Sequence, residues 1–297
     1  MTLITAEFLR TQHPLPDHAG GGSKEARGRV LVVGGCASVA GAPLLSAVAA
    51  LRVGAGKLQV ATIRGVAAQM GLLLPEAMVL GCDETRDGDI DPAAAATLVK
   101  VANKVGGLAI GPGMISPEAT HALVAAMLEG MDGVPMVLDA GALCGLADTP
   151  ELLHRHAGRI VITPHTGEMA NMLDLPRDEI EADKLAHARE VAKRLQCVVV
   201  MKGSGTEVVA PSGEAWIYEC GTIGLATSGS GDVLTGIVCG LLARGLAPMQ
   251  AAAWGVFLHG EAGARLVKRD GGIGFLAREL AGEIPAIMGK LCSSVDV

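Results

Sequence analysis

Aromatic residues are almost missing from this 297-residue chain: two Trp, one Tyr and three Phe, although half of all residues are hydrophobic. The core must therefore be built from Ala, Val, Leu, Ile and Met. With 41 glycines, such a composition fits the close-packed layers and tight turns of an α/β protein. No basic stripe interleaved with aromatics occurs and the net charge is −7, which argues against a nucleic-acid partner. No C-x-x-C pair occurs among the seven scattered cysteines, so they read as reduced thiols of a cytoplasmic protein. Residues 1–16 have no apolar signal core, and no run of 18 apolar residues exists, so no membrane span is expected. Three common site signatures are also missing. Gly54-Ala55-Gly56-Lys57 is followed by Leu58, with Leu51 where a P-loop needs its first glycine; neither G-x-G-x-x-G nor G-x-S-x-G occurs.

What is present is alternation. The β-branched run Arg29-Val30-Leu31-Val32-Val33 ends in Gly34-Gly35 and reads as a buried parallel strand. Further strand-like runs fall at 57–62, 77–80, 107–110, 135–138, 160–162, 198–201 and 206–210. Helical patterns fall at 43–53, 92–105, 117–129, 180–195, 232–244, 248–268 and 276–288. Repeated strand–helix units imply a mostly parallel sheet with helices on both faces, and ligands bound outside the carboxyl ends of the strands. The first 28 residues, with His13-Pro14-Leu15-Pro16 and Gly20-Gly21-Gly22, read as an arm or loop.

Several strand-end loops are unusual for connectors. In Gly229-Ser230-Gly231-Asp232, small residues open an apolar helix, so free N–H groups can hold an anion with a carboxylate beside them. Asp232 is then placed to take a proton from a hydroxyl attacking a phosphoryl group. A plain helix-dipole role is the competing reading for the aspartate taken alone. Lys202-Gly203-Ser204-Gly205-Thr206 can wrap a phosphate; taken alone it reads better as a hairpin turn. In Thr163-Pro164-His165-Thr166-Gly167-Glu168, His165 and Glu168 lie three apart at a helix start and can face one pocket, or Glu168 can serve only the helix. Asp139 ends a strand as a ligand contact or a turn cap. His154 and His156 precede the 160–162 strand, at the opposite end from His165. They are read as surface histidines rather than metal ligands.

Taken in order, these loops resemble the ADP- or ATP-dependent NAD(P)H-hydrate dehydratases of the ribokinase-like superfamily. The matching segments run from Val32-Val33-Gly34-Gly35 and Gly41-Ala42-Pro43 through Gly111-Pro112-Gly113, Asp139-Ala140 and Thr163–Glu168 to Gly229-Ser230-Gly231-Asp232. The resemblance covers about residues 24 to 290. It implies a three-layer α/β/α ribokinase-like fold with a central mostly parallel sheet, residues 1–23 forming an N-terminal arm and 24–297 a single domain. It implies Asp232 as the catalytic base, and Ala42, Gly113, His165 and Asp232 as contacts to the hydrated dinucleotide. Lys202, Gly203, Ser204, Gly205, Thr206 and Gly231 would form the adenine-nucleotide site, with Glu168 managing Mg²⁺ through water or phosphate. The implied reaction is dehydration of NADHX or NADPHX, with ADP or ATP as phosphoryl donor, in a homo-oligomer of which a tetramer is one form. A superfamily kinase acting on a vitamin-precursor alcohol, or a non-catalytic nucleotide sensor, are the alternatives. Two departures stand out: the family's Asp-Ala-Asp-Ala-Leu reads Asp139-Ala140-Gly141-Ala142-Leu143, and its Gly-Pro-Gly-Leu-Gly reads Gly111-Pro112-Gly113-Met114-Ile115. Many relatives carry an epimerase domain ahead of this one, and the N-terminal arm is too short to be one.

Overall fold

The computed structural model describes residues 1–16, 23–219 and 221–292; the Gly20-Gly21-Gly22 run and Cys220 lie outside the described residues. Its centre is a sheet of ten strands: β1 Thr2–Leu3, β2 Arg29–Val33, β3 Lys57–Ile63, β4 Ala77–Cys82, β5 Gly107–Ile110, β6 Met136–Leu138, β7 Ile160–Ile162, β8 Val198–Met201, β9 Thr206–Val209 and β10 Ala215–Tyr218. Their spatial order is β1-β10-β9-β8-β7-β6-β5-β2-β3-β4. All neighbours pair in parallel except β9, which runs antiparallel to both β8 and β10.

Every residue of β5, β6, β7 and β8 is buried, because helices cover both faces. The period of two is visible in β2. Val30 and Val32 join one core with the helices Ala42–Arg52, Ser230–Ala243, Pro248–Asp270 and Ala277–Cys292. Leu31 and Val33 join the other with Ala95–Ala102, Pro117–Gly130 and Lys184–Leu195. This is the expected three-layer arrangement. Glycine sets the contact between two helices of the first layer. A Cβ at Gly236 would strike the Ser46 carbonyl, and one at Gly240 would lie 2.8 Å from the Ala50 carbonyl oxygen. The helices Ala42–Arg52 and Ser230–Ala243 thus meet backbone to backbone with no room for a ring between them, and Trp216, Tyr218, Trp254, Phe257 and Phe275 pack elsewhere in the same core.

The chain runs β2, β3, β4 to one edge, then returns to place β5 on the other side of β2. Loops leaving β2 and β5 therefore diverge, and the crevice between them is where open α/β sheets hold ligands. The glycines after β2, β5 and β8, and Asp139 and His165 after β6 and β7, all fall on this carboxyl-end rim.

Differences from the sequence reading are local. Residues 2–12 are not a free arm: β1 pairs with β10, and the helix Ala6–Gln12 packs Leu9 into the core, where it is fully buried along with Ile4. The expected helix over 180–195 is two helices, Arg177–Ala182 and Lys184–Leu195, because Asp183 leaves helical geometry and caps the second through Ala186 N–H. The helix Arg64–Leu73 and strand β10 were not expected at all.

Candidate active site

The backbone after β2 and β5 is shaped by close approach. Gly113 has φ of 71°, and a Cβ there would lie 2.9 Å from Ala42 Cβ and 3.3 Å from Gly35 Cα. Only glycine fits both the left-handed angle and the contact. Ala42 and Gly113, expected to touch one ligand, are thus neighbours. They form a floor of small residues at the start of the helix Ala42–Arg52.

Charges cluster on the other side, after β6, β7 and β8. Asp139 is buried, with 2% exposure. Its Oδ1 accepts from Thr163 Oγ1 at 2.7 Å and Lys202 Nζ at 3.0 Å, and its Oδ2 accepts from Thr235 Oγ1 at 2.8 Å. Burial works against the charge on both members of the pair, and their mutual attraction overcomes it. Asp139 is held below the ordinary carboxylate range with help from the two hydroxyls, and Lys202 above the ordinary lysine value with help from Glu168. The sequence motif thus yields an ion pair whose members lie 63 positions apart.

His165 and Glu168 do meet, as part of a capping box. Glu168 N–H donates to His165 Nδ1 at 3.1 Å and His165 N–H donates to Glu168 Oε2 at 2.8 Å, which fixes the start of the helix Thr166–Leu173. His165 itself stays exposed, with Nε2 3.6 Å from Glu168 Oε1. Lys202 Nζ lies 3.5 Å from Glu168 Oε2. Lys202 N–H donates to the Pro164 carbonyl at 2.9 Å, stitching the two loops together.

The segment from Lys202 to Thr206 is a β8–β9 hairpin turn, so the structural reading of its glycines holds as far as geometry goes. Gly203 and Ser204 are nonetheless exposed at the rim.

Opposite lies the start of the helix Ser230–Ala243. Gly229 takes φ of 87° at the N-cap, and no side chain caps the first turn. The free amides of this turn can hold an anion, with support from the helix dipole. A Cβ at Gly231 would sit 3.3 Å from Lys202 Nζ, so its absence lets the ammonium reach beneath this turn. Asp232 stands in the same turn, and its carbonyl accepts from Ser46 Oγ at 2.7 Å. Burial raises its carboxyl to about 7; the charges of Asp139 and Glu168 push the same way, and Lys202 opposes them. A carboxyl poised near neutrality beside an anion hole suits a general base.

Sequence reasoning missed three contributors. Thr235, one turn after Asp232, bonds Asp139. His259 Nε2 lies 2.9 Å from Ser230 Oγ and 3.0 Å from the Ser230 carbonyl oxygen; burial lowers it to about 4, so it serves as a neutral anchor for the anion hole. Ser46 is the third. His154 and His156 do not join the site: their Nε2 atoms lie 2.8 Å from the Arg194 and Leu128 carbonyls, and His156 is buried rather than on the surface.

A model of the NAD(P)H-hydrate dehydratase family matches residues 30–286. The chain belongs to that family. It is 46% identical to the ADP-dependent (S)-NAD(P)H-hydrate dehydratase of Xanthomonas campestris pv. campestris, over 97% of this chain and 96% of that one. The Bacillus subtilis ADP/ATP-dependent NAD(P)H-hydrate dehydratase, co-crystallised with ATP/Mg²⁺, superposes with a TM-score of 0.80 at 30% identity and 98% coverage of both chains. A ribokinase-like superfamily protein of Enterococcus faecalis V583 superposes with a TM-score of 0.82 at 25% identity, covering 98% of this chain and 96% of that one. The fold is therefore ribokinase-like, as expected of the dehydratase family.

Proposed function

We propose that this chain dehydrates the S-form of NADHX or NADPHX to NADH or NADPH, using ADP or ATP. The observation that carries the reading is Asp232: a carboxyl near neutral pKa in the first turn of an uncapped helix, facing the charged loops of β7 and β8. Asp232 takes the proton of the C6 hydroxyl as that oxygen bonds to the terminal phosphorus. With ADP, the bridging P–O bond breaks and AMP leaves. The ring nitrogen's lone pair then expels phosphate from C6, and loss of a C5 proton restores the dihydropyridine. The uncapped amides receive charge on the transferred group.

Ala42, Gly113 and His165 contact the hydrated dinucleotide, and Gly203, Ser204, Gly205 and Thr206 hold the nucleotide with Lys202 and Gly231. Mg²⁺ fits this site in one way. Among the described residues no three-residue cluster of His, Cys, Asp or Glu could cage a metal. Both oxygens of Asp139 already accept hydrogen bonds, and Glu168 is tied to His165 and Lys202. Such a donor set suits a cation held mainly by phosphates and water, with Glu168 reached through water. Bound there, Mg²⁺ would neutralise phosphate charge.

Incubation of the protein with purified hydrate and ADP or ATP tests the proposal. Recovery of dihydronicotinamide absorbance with release of phosphate is expected. A stable phosphorylated product would instead support a superfamily kinase, and nucleotide binding without turnover a sensor. No described helix is long and apolar enough to cross a membrane, and we place the enzyme in the cytoplasm. Exposed Leu72, Leu73 and Met78 lie along the edge strand β4 and its helix, and support a homo-oligomer. Light scattering of the parental protein and of Leu72→Asp reads this directly.

A further inference from the structure

We infer that Asp139 is the positioning residue of this site: it holds the Lys202 ammonium beneath Gly231, so that the cation faces the transferred phosphoryl group. The inference rests on the phosphoryl-transfer reading above. Lys202 lies at the end of β8 and has a flexible stem, yet its Nζ must sit under a helix turn contributed by a distant part of the chain. Three features fix it there. Asp139 Oδ1 accepts from Nζ at 3.0 Å, and Glu168 Oε2 lies 3.5 Å away on the other side. Gly231 removes the Cβ that would otherwise stand 3.3 Å from the ammonium.

Asp139 is itself immobilised. Thr163 ties it to the β7 loop and Thr235 to the helix that carries Asp232, so one buried carboxylate spans the donor loop, the loop before His165 and the base helix. Both its oxygens accept hydrogen bonds and the Lys202 ammonium keeps it ionised, so its task is to position the cation rather than to exchange protons. Among the described residues its only charged hydrogen-bond partner is Lys202. A carboxylate so buried would be costly without that cation, and the cation without it would be free to leave the anion hole. The pair differs in kind from the exposed ion pairs elsewhere, such as Arg64 with Asp83.

A double-mutant cycle tests the inference, using the full chain with hydrate and ADP. Asp139→Asn and Lys202→Met should each lower kcat about 10²-fold, the scale of losing one donor to a developing anion, with the KM for the hydrate unmoved. The double variant should be no slower than Lys202→Met alone. Its melting temperature should exceed that of Lys202→Met, which leaves Asp139 buried without a cation. Multiplicative losses in kcat, or a further fall in melting temperature for the double variant, would overturn the inference. Should Asp139→Asn fail to fold, Thr235→Val loosens the same carboxylate and should lower kcat three- to tenfold at unchanged hydrate KM; parental kcat would count against the role. If the parental protein repaired no hydrate, the functional reading would fall, while the melting cycle would still report whether the pair is coupled.

Discussion

The two banks of this crevice are made of different materials. After β6, β7 and β8 the rim is charged: Asp139, Glu168 and Lys202 form a linked network whose oxygens are almost all committed. After β2 and β5 the rim is nearly bare backbone: Gly35, Ala42 and Gly113 are small residues packed so closely that larger side chains are excluded. Charge suits a nucleotide whose phosphates change their charge during transfer. Bare backbone suits a bulky, flat ring that must come close to be aligned. Asp232 lies where the banks meet, and the comparison predicts that variants on one bank spare the function of the other.

Asp232→Asn should give the largest effect, about 10²–10⁴-fold in kcat, since it removes a proton acceptor without changing shape. Stability should move the opposite way at neutral pH. The folded carboxyl is raised from its ordinary 3.8 to about 7, so its contribution is fully present below 3.8 and is lost as pH rises through 7. Melting curves should therefore show the parental protein losing stability between those values relative to the Asn variant. The same value places the acid limb of the kcat/KM profile, which reports the free enzyme, near 7, rising as the base ionises. A parental profile flat from pH 5 to 9 would remove Asp232 from the base role.

How legible this was in the sequence depended on distance along the chain. The central strands were readable because a strand buried on both faces needs an unbroken run such as Val-Leu-Val-Val. Asp232 was readable because its glycines are adjacent to it. The Asp139 network was not, because its partners Thr235 and Lys202 lie 96 and 63 positions away, and nothing local marks Thr235. The helix Arg64–Leu73 escaped notice because Leu72 and Leu73 are exposed at its end and blur any apolar stripe. The family's motif order supplied what local chemistry could not, namely that the scattered loops belong to one site.

On the bare bank, Gly113→Ala forces a left-handed angle on a residue with a Cβ and crowds Ala42. Strain of this kind costs about 1–3 kcal/mol. Expressed at the ligand, it should raise the hydrate KM about tenfold while leaving ADP affinity within twofold. An equal loss of ADP affinity would show that the banks are one mechanical unit. No change in kcat is expected at Gly141, where the family pattern has aspartate. A Cβ at Gly141 would strike the Met114 carbonyl, so the two departures from the family pattern are in contact. Restoring aspartate alone should cost about 1–3 kcal/mol of stability by overpacking, without raising kcat. A gain in rate from Gly141→Asp would show that the missing carboxylate had a catalytic task.

The smallest effect on stability is the most discriminating at His165, where both banks could claim the residue. Its Nδ1 caps a helix, a structural task, while its exposed ring is free to meet a ligand. Asparagine is among the best N-caps, so His165→Asn should keep the helix start to within about 0.5 kcal/mol, whereas alanine should cost about 1 kcal/mol. If the ring only capped, Asn would restore full activity. If it contacts the hydrate, both variants should raise the hydrate KM alike despite their different stabilities. Steady-state kinetics beside thermal melts separates the two. A ligand role for His165 would put one polar contact of the charged side onto the hydrate that we propose binds the glycine bank, making this residue the bridge between the banks.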